Sequence, residues 1–143
     1  MSSNKFDELM QKYSNLLDEL LKSDHLPFNS AILQAMLPQQ MGVYCISENR
    51  NDVPEPVYIG KSKNLQNRIY KNHLMGSRRF STLRRKVIRI GIFSDEDGVT
   101  NYLCEQCKVQ FVIIEDESDR NFFEHFAIAI LSPRFNNQTK GSS

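Results

Sequence analysis

The sequence predicts an α+β fold, with three short strands set among helices behind a helical N-terminal extension. Three observations carry this. Residues 5–22 place apolar side chains at i, i+3, i+4 and i+7 over five turns. Runs at 42–47, 57–60 and 109–114 are short and rich in β-branched and aromatic residues. Helical patterns lie between the second and third runs and again after the third.

In chain order, Phe6, Leu9, Met10, Tyr13, Leu16, Leu17, Leu20 and Leu21 form the stripe of the first helix, with Asn4 as its cap. A shorter helix is expected from Asn29 as cap to Leu37, where Pro38 stops it. These helices could pack on the rest of the chain or pair with a second copy. Gly42 to Ser47 and Val57 to Gly60 read as a hairpin. The polar stretch 48–52 with Pro54 and Pro56 is its expected long loop. Asn64 caps the next helix, which carries Leu65, Ile69 and Leu74 inward and closes near Gly76. Residues 81–90 predict a helix with Leu83, Val87 and Ile90 inward and its arginines outward. A short helix then runs to Leu103. After the strand at 109–114, Ser118 or Asp119 caps a last helix that ends before Pro133. The organisation expected is an extension over 1–38, a domain over 39–138 with a basic insertion at about 76–105, and a disordered tail over 139–143.

With 143 residues, 40% of them apolar and 24% charged, the chain can bury one core and is not globally disordered. No apolar run approaches the roughly 18 residues of a membrane span, and the first residues lack a secretory pattern, so a cytoplasmic protein without a membrane partner is expected. Three cysteines fit a reduced compartment better than a disulfide framework, and Cys104 and Cys107 alone are a weak zinc signal.

The net charge of +1 conceals a segregation. Residues 61–89 hold ten basic side chains and no acid: Lys61, Lys63, Arg68, Lys71, Arg78, Arg79, Arg84, Arg85, Lys86 and Arg89. The remaining eight basic residues face all seventeen acids, a net of −9. A solvated face mixes signs, so an acid-free run of this length points to a surface for phosphate.

Gly42-Val43-Tyr44, Tyr58-Ile59-Gly60, Arg68 ten residues after Tyr58, Glu124 in the last helix and Asn136 twelve residues later stand in a fixed order. Together they resemble the GIY-YIG nuclease superfamily over roughly 41–137. The resemblance implies a small antiparallel three-stranded sheet flanked by helices. It also implies a metal-dependent endonuclease leaving 5′-phosphate and 3′-hydroxyl ends; the little chain outside 41–137 points to a restriction-like role, with a structure-selective one as the other expectation. DNA is the expected substrate, with RNA not excluded, acted on by a monomer or by a homodimer through the N-terminal helices. The other reading is a non-catalytic nucleic-acid-binding module with a degenerate nuclease site.

Phosphodiester hydrolysis needs an activated water, a cation and stabilisation of the leaving oxygen. Glu124 is the expected ligand for Mg²⁺ or Mn²⁺, since Mg²⁺ takes only one or two protein carboxylates; as a first-turn acid it could instead serve the helix dipole. Arg68 suits a bidentate phosphate contact. By resemblance Tyr44 is the general base, its pKa lowered by Lys61, Arg68 or the metal, and Tyr58 orients water or phosphate. Both could also be ordinary strand tyrosines. Asn136 fixes local geometry. Many family members carry a histidine four residues after the arginine, where this chain has Asn72; His73 comes at five, about 100° further around an α-helix. It is kept as a possible proton shuttle, against a surface phosphate contact or an inert histidine. The other basic residues from Lys61 to Arg89 are the expected nucleic-acid grip.

Overall fold

The computed structural model describes residues 2–137; the tail over 139–143 lies outside them. The elements are α1 (Ser2–Lys22), β1 (Leu26–Pro27), α2 (Ser30–Met36), β2 (Gly42–Arg50), β3 (Val53–Ser62), a π-helix (Asn67–Leu74), α3 (Thr82–Arg89), α4 (Glu96–Gln106), β4 (Cys107–Ile113), α5 (Glu117–Leu131) and α6 (Arg134–Asn137). The fold is α+β. Its sheet is antiparallel throughout, in the order β1-β4-β2-β3, and the two-residue β1 adds a fourth strand to the three expected.

The β2–β3 hairpin has no long loop. Both strands run on until Arg50 pairs with Val53, joined by Asn51 and Asp52 at φ 54° and 65°. Two consecutive left-handed residues match the right-handed twist of a hairpin, and Asn and Asp tolerate that conformation. Pro54 and Pro56 belong to β3 after all, because β3 is the sheet edge, where a missing N–H is tolerated. A register shift between Ile46 and Ser47 absorbs one extra residue of β3.

The sheet buries both faces. Tyr44, Ile46, Tyr58 and Val109 pack with Leu33, Leu65, Ile69, Leu83 and Phe135 on one side. Val43, Cys45, Ile59 and Val112 pack with Leu20 of α1 and Phe123 and Ala127 of α5 on the other. The N-terminal helices therefore contribute to the core, Leu20 and Leu33 being fully buried. Phe6, Leu9 and Met10, the start of the same α1 stripe, remain exposed. Helix α1 begins at Ser2, so Asn4 is inside it and does not cap it. Helix α5 begins two turns before Glu124, capped by Asp116, whose carboxylate accepts from Asp119 N–H at 2.9 Å; neither Ser118 nor Asp119 is the cap. No described helix is long and apolar enough to cross a membrane.

Candidate active site

Tyr44 lies in the central strand β2 and pairs with Gly60 of β3. A Cβ at position 60 would overlap the Tyr44 hydroxyl, so the glycine is a steric requirement of that ring. Gly42 has a comparable reason, since a Cβ there would meet the Val112 carbonyl and sit 2.9 Å from Leu65 Cδ1. The glycines of both tripeptides thus let tyrosine, strand and helix come close together. Tyr58 shares the Tyr44 face, its ring centroid 6.2 Å away, and its hydroxyl bonds Thr82 Oγ1 at 2.9 Å.

The helix after β3 starts under Asn64, whose side chain accepts from Asn67 N–H at 2.9 Å. From Asn67 to Leu74 it is a π-helix, and Met75 N–H closes it on the Tyr70 carbonyl five residues back. This corrects the expected displacement of His73. In a π-helix residue i+5 stands one turn on, where i+4 stands in an α-helix, so the five-residue step from Arg68 still aims His73 at the tyrosines. Its Nε2 lies 2.6 Å from the Tyr44 hydroxyl and its Nδ1 2.7 Å from Ser81 Oγ, and the ring is edge-on to Tyr58. His73 is fully buried, which excludes a surface phosphate contact. Burial, helped by the charges of Arg68 and Arg84, pushes its pKa down to about 3. At neutral pH it is an uncharged imidazole.

Burial holds Tyr44 well above the ordinary phenol range, Tyr58 and Glu124 push the same way, and Arg68 alone opposes them. The cation effect expected to lower the Tyr44 pKa is present but smaller than desolvation. Tyr58 is raised by the same dominant cause, with the Thr82 hydrogen bond opposing. The Arg68 guanidinium is half-buried and makes no hydrogen bond or ion pair with the described residues.

Glu124 comes from the opposite face of the sheet. Mid-helix in α5, it is outside the first turn, so the dipole role considered from sequence does not apply. Its side chain is 16% exposed, with Lys61 Nζ 4.0 Å from its carboxylate. Burial raises its pKa and Lys61 lowers it. Lys61 also donates to Asn121 Oδ1 at 2.6 Å. Arg68 and Glu124 both act electrostatically on Tyr44 and Tyr58, and Glu124 approaches the edge of β3 through Lys61. Asn136 sits at that edge. Its side chain accepts from Ile59 N–H at 2.7 Å and donates to the Ile59 carbonyl at 2.9 Å, pairing β3 as another strand would.

A hard cation fits this donor set. The Glu124 carboxylate offers oxygen, with Lys61 Nζ 4.0 Å away, and no group of three or more His, Cys, Asp or Glu among the described residues forms an all-protein cage. That leaves the coordination for water and phosphate that Mg²⁺ favours.

Arg84 is the residue that departs furthest from expectation. It is 1% exposed and turned inward from α3. Its guanidinium donates to the carbonyls of His73 (2.7 Å), Leu74 (2.6 Å) and Glu96 (3.1 Å), to Glu96 Oε1 (3.2 Å) and to Thr100 Oγ1 (2.7 Å). With its donors spent on the end of the π-helix and the start of α4, it cannot hold a phosphate. Lys63, Lys71, Arg78, Arg79, Arg85 and Arg89 are exposed, and Lys86 is half-buried against the Asn136 carbonyl. Arg78 is 3.5 Å from Glu96. Lys61, Lys63 and Arg68 line a cleft of about 470 Å³ together with Asn67 and Arg120. Ser81 and Thr82, which touch His73 and Tyr58, were missed from sequence; a single serine or threonine carries no signal without the fold. Of the paired cysteines, Cys104 is exposed in α4 and Cys107 buried at the start of β4.

Residues 40–118 match the model of the GIY-YIG catalytic domain. Among solved structures, the chain is similar to the GIY-YIG N-terminal endonuclease domain of UvrC from Thermotoga maritima. A tyrosine-to-phenylalanine point mutant of that domain, bound to its catalytic divalent cation, is 22% identical with TM-score 0.47, over 74% of this chain and 96% of that one. The form bound to magnesium is 23% identical with TM-score 0.45, over 73% and 94%. No curated protein matches the chain.

Proposed function

This chain belongs to the GIY-YIG family, as a catalytic domain of its endonuclease type, and from that premise we propose that it hydrolyses phosphodiester bonds in DNA to 5′-phosphate and 3′-hydroxyl ends. The observation that carries the proposal is the convergence at the β3 edge: a tyrosine pair, an unpartnered guanidinium and a half-buried carboxylate beside Lys61, drawn from four elements. Neither stability nor a solvated surface asks for that combination.

In this reading Arg68 holds the scissile phosphate and offsets the charge that develops on it. Tyr44 first gives its phenolic proton to solvent, and the phenolate oxygen then orients the attacking water and takes a proton from it. Tyr58, fixed by Thr82, positions phosphate or water. Glu124 would ligate one divalent cation, Mg²⁺ or Mn²⁺, which when bound neutralises phosphate charge and eases departure of the 3′ oxygen. Lys61 moves from the carboxylate to a phosphate when substrate enters. Lys63, Arg85 and Arg89 grip the flanking backbone, and Asn136 keeps β3 in place. His73 serves as a neutral partner of Tyr44.

The test is incubation with supercoiled plasmid, or with RNA of matched length, in Mg²⁺, followed by end analysis. Ligatable nicks with 5′-phosphate on DNA are expected. Cutting of RNA alone, or ends carrying 3′-phosphate, would reject this assignment.

A further inference from the structure

Ser81 is fully buried, and its hydroxyl has two neighbours: Arg84 N–H, at 3.0 Å, and His73 Nδ1, at 2.7 Å. The first can only donate, because a backbone amide has no lone pair to offer. A buried hydroxyl proton needs an acceptor, and the remaining acceptor in reach is Nδ1. The ring then carries its proton on Nε2, where the partner is the Tyr44 oxygen at 2.6 Å. Each link fixes the direction of the next, and the direction starts at the N-terminus of α3, whose exposed amides favour electron density drawn toward them. We propose that Ser81 is a positioning residue of this site: it sets the His73 tautomer so that Nε2–H donates to the Tyr44 oxygen and supports its phenolate form.

This changes the part played by His73. It is a fixed donor to Tyr44 and passes no proton along the chain. Arg84 completes the device from behind, because its side chain holds the His73 and Leu74 carbonyls and its amide opens the series. The other charged or titratable groups around the pair are Tyr58 from β3, Arg68 from the π-helix and Glu124 from α5, and none bonds the ring nitrogens.

The inference rests on Tyr44 acting as the base, but its first test needs no activity. Nitrogen-15 spectra of histidine-labelled wild type, with the His73 signals identified by comparison with H73Q, are expected to show a neutral ring protonated at Nε2 from pH 5 to 8. A ring protonated at Nδ1 overturns the proposal, whether or not the protein cuts DNA. Ser81→Ala is expected to lower kcat about 10- to 100-fold, as loss of a supporting partner behind a reacting group does, with KM unchanged and the ascending limb of the pH–rate profile, set by deprotonation of the base, moved to higher pH. Ser81→Thr, which keeps the hydroxyl, should restore both. A folded Ser81→Ala variant with wild-type kcat and profile overturns the proposal; where that variant does not fold, the wild-type tautomer decides it. Failure of the wild type to cut any nucleic acid would remove the functional reading while leaving the tautomer result to stand or fall separately.

Discussion

Glu124 holds its charge against its surroundings. Burial raises its pKa above the ordinary carboxylate value, so the folded protein binds the proton more tightly than the unfolded chain. The sign follows: ionisation of Glu124 weakens the fold as pH rises through the raised pKa. In metal-free buffer at pH 7, Glu124→Gln is therefore expected to melt higher than wild type, although it should not cut; an unchanged or lower Tm would contradict the assignment. His73 has the opposite sense. Its folded pKa of about 3 lies below the unfolded value near 6.5, so between those limits the unfolded chain binds more protons and stability falls as pH falls. Urea titrations at pH 7 and pH 4.5 should show a smaller loss for His73→Gln than for wild type. Equal losses would place a charged histidine in the native state. Tyr44, Tyr58, Arg68 and Glu124 were legible in the sequence because short motifs in fixed order mark them. Arg84 was not, because a buried arginine is recognised only by acceptors that other elements bring to it. Its replacement by alanine strands those carbonyls and Glu96, and should cost about 3–5 kcal/mol of stability.

The elements that periodicity marks best were found with near-correct limits, namely α1, α2, α3 and β4. Two others escaped because a local exception overrode the usual pattern. The polar and proline-rich stretch 48–56 reads as a loop, yet a two-residue left-handed turn and an edge position make most of it strand. The π-helix is invisible to a period-3.6 template, and with it the alignment of His73. That element yields its own prediction. Deleting Asn72 shortens the step from Arg68 to histidine to four, which an α-helix presents on the same face. The deletion variant should fold, lose the i+5 bond and keep cutting within about tenfold of wild type, a margin of about 1.4 kcal/mol in barrier. Abolished cutting by a folded variant would show that the π geometry itself is required. In the hairpin, Gly60→Ala drives a methyl into the Tyr44 hydroxyl and should cost about 1–3 kcal/mol by overpacking, with kcat falling alongside.

Across the whole molecule, ten basic residues and no acid between positions 61 and 89 meet a remainder of net charge −9, and the fold keeps most of those cations on the surface. Composition made that legible, but the inward turn of Arg84 needed the fold. Binding to duplex DNA should therefore weaken with salt, and Lys63→Ala or Arg85→Ala should each flatten the log–log slope by about 0.9 if it contacts one phosphate. No change in slope would remove that residue from the interface. The central claim is that the two faces of the sheet meet at β3 to form one hydrolytic site, with Glu124 as the residue that holds the cation. The measurement that reaches it most directly is cleavage of plasmid DNA in Mg²⁺ by wild type and by Glu124→Ala, alongside DNA affinity for each in Ca²⁺. Nicked and linear product is expected from wild type and none from Glu124→Ala, with affinities within about tenfold of each other. Equal cutting by both proteins, or none by wild type on any form of DNA, would contradict it.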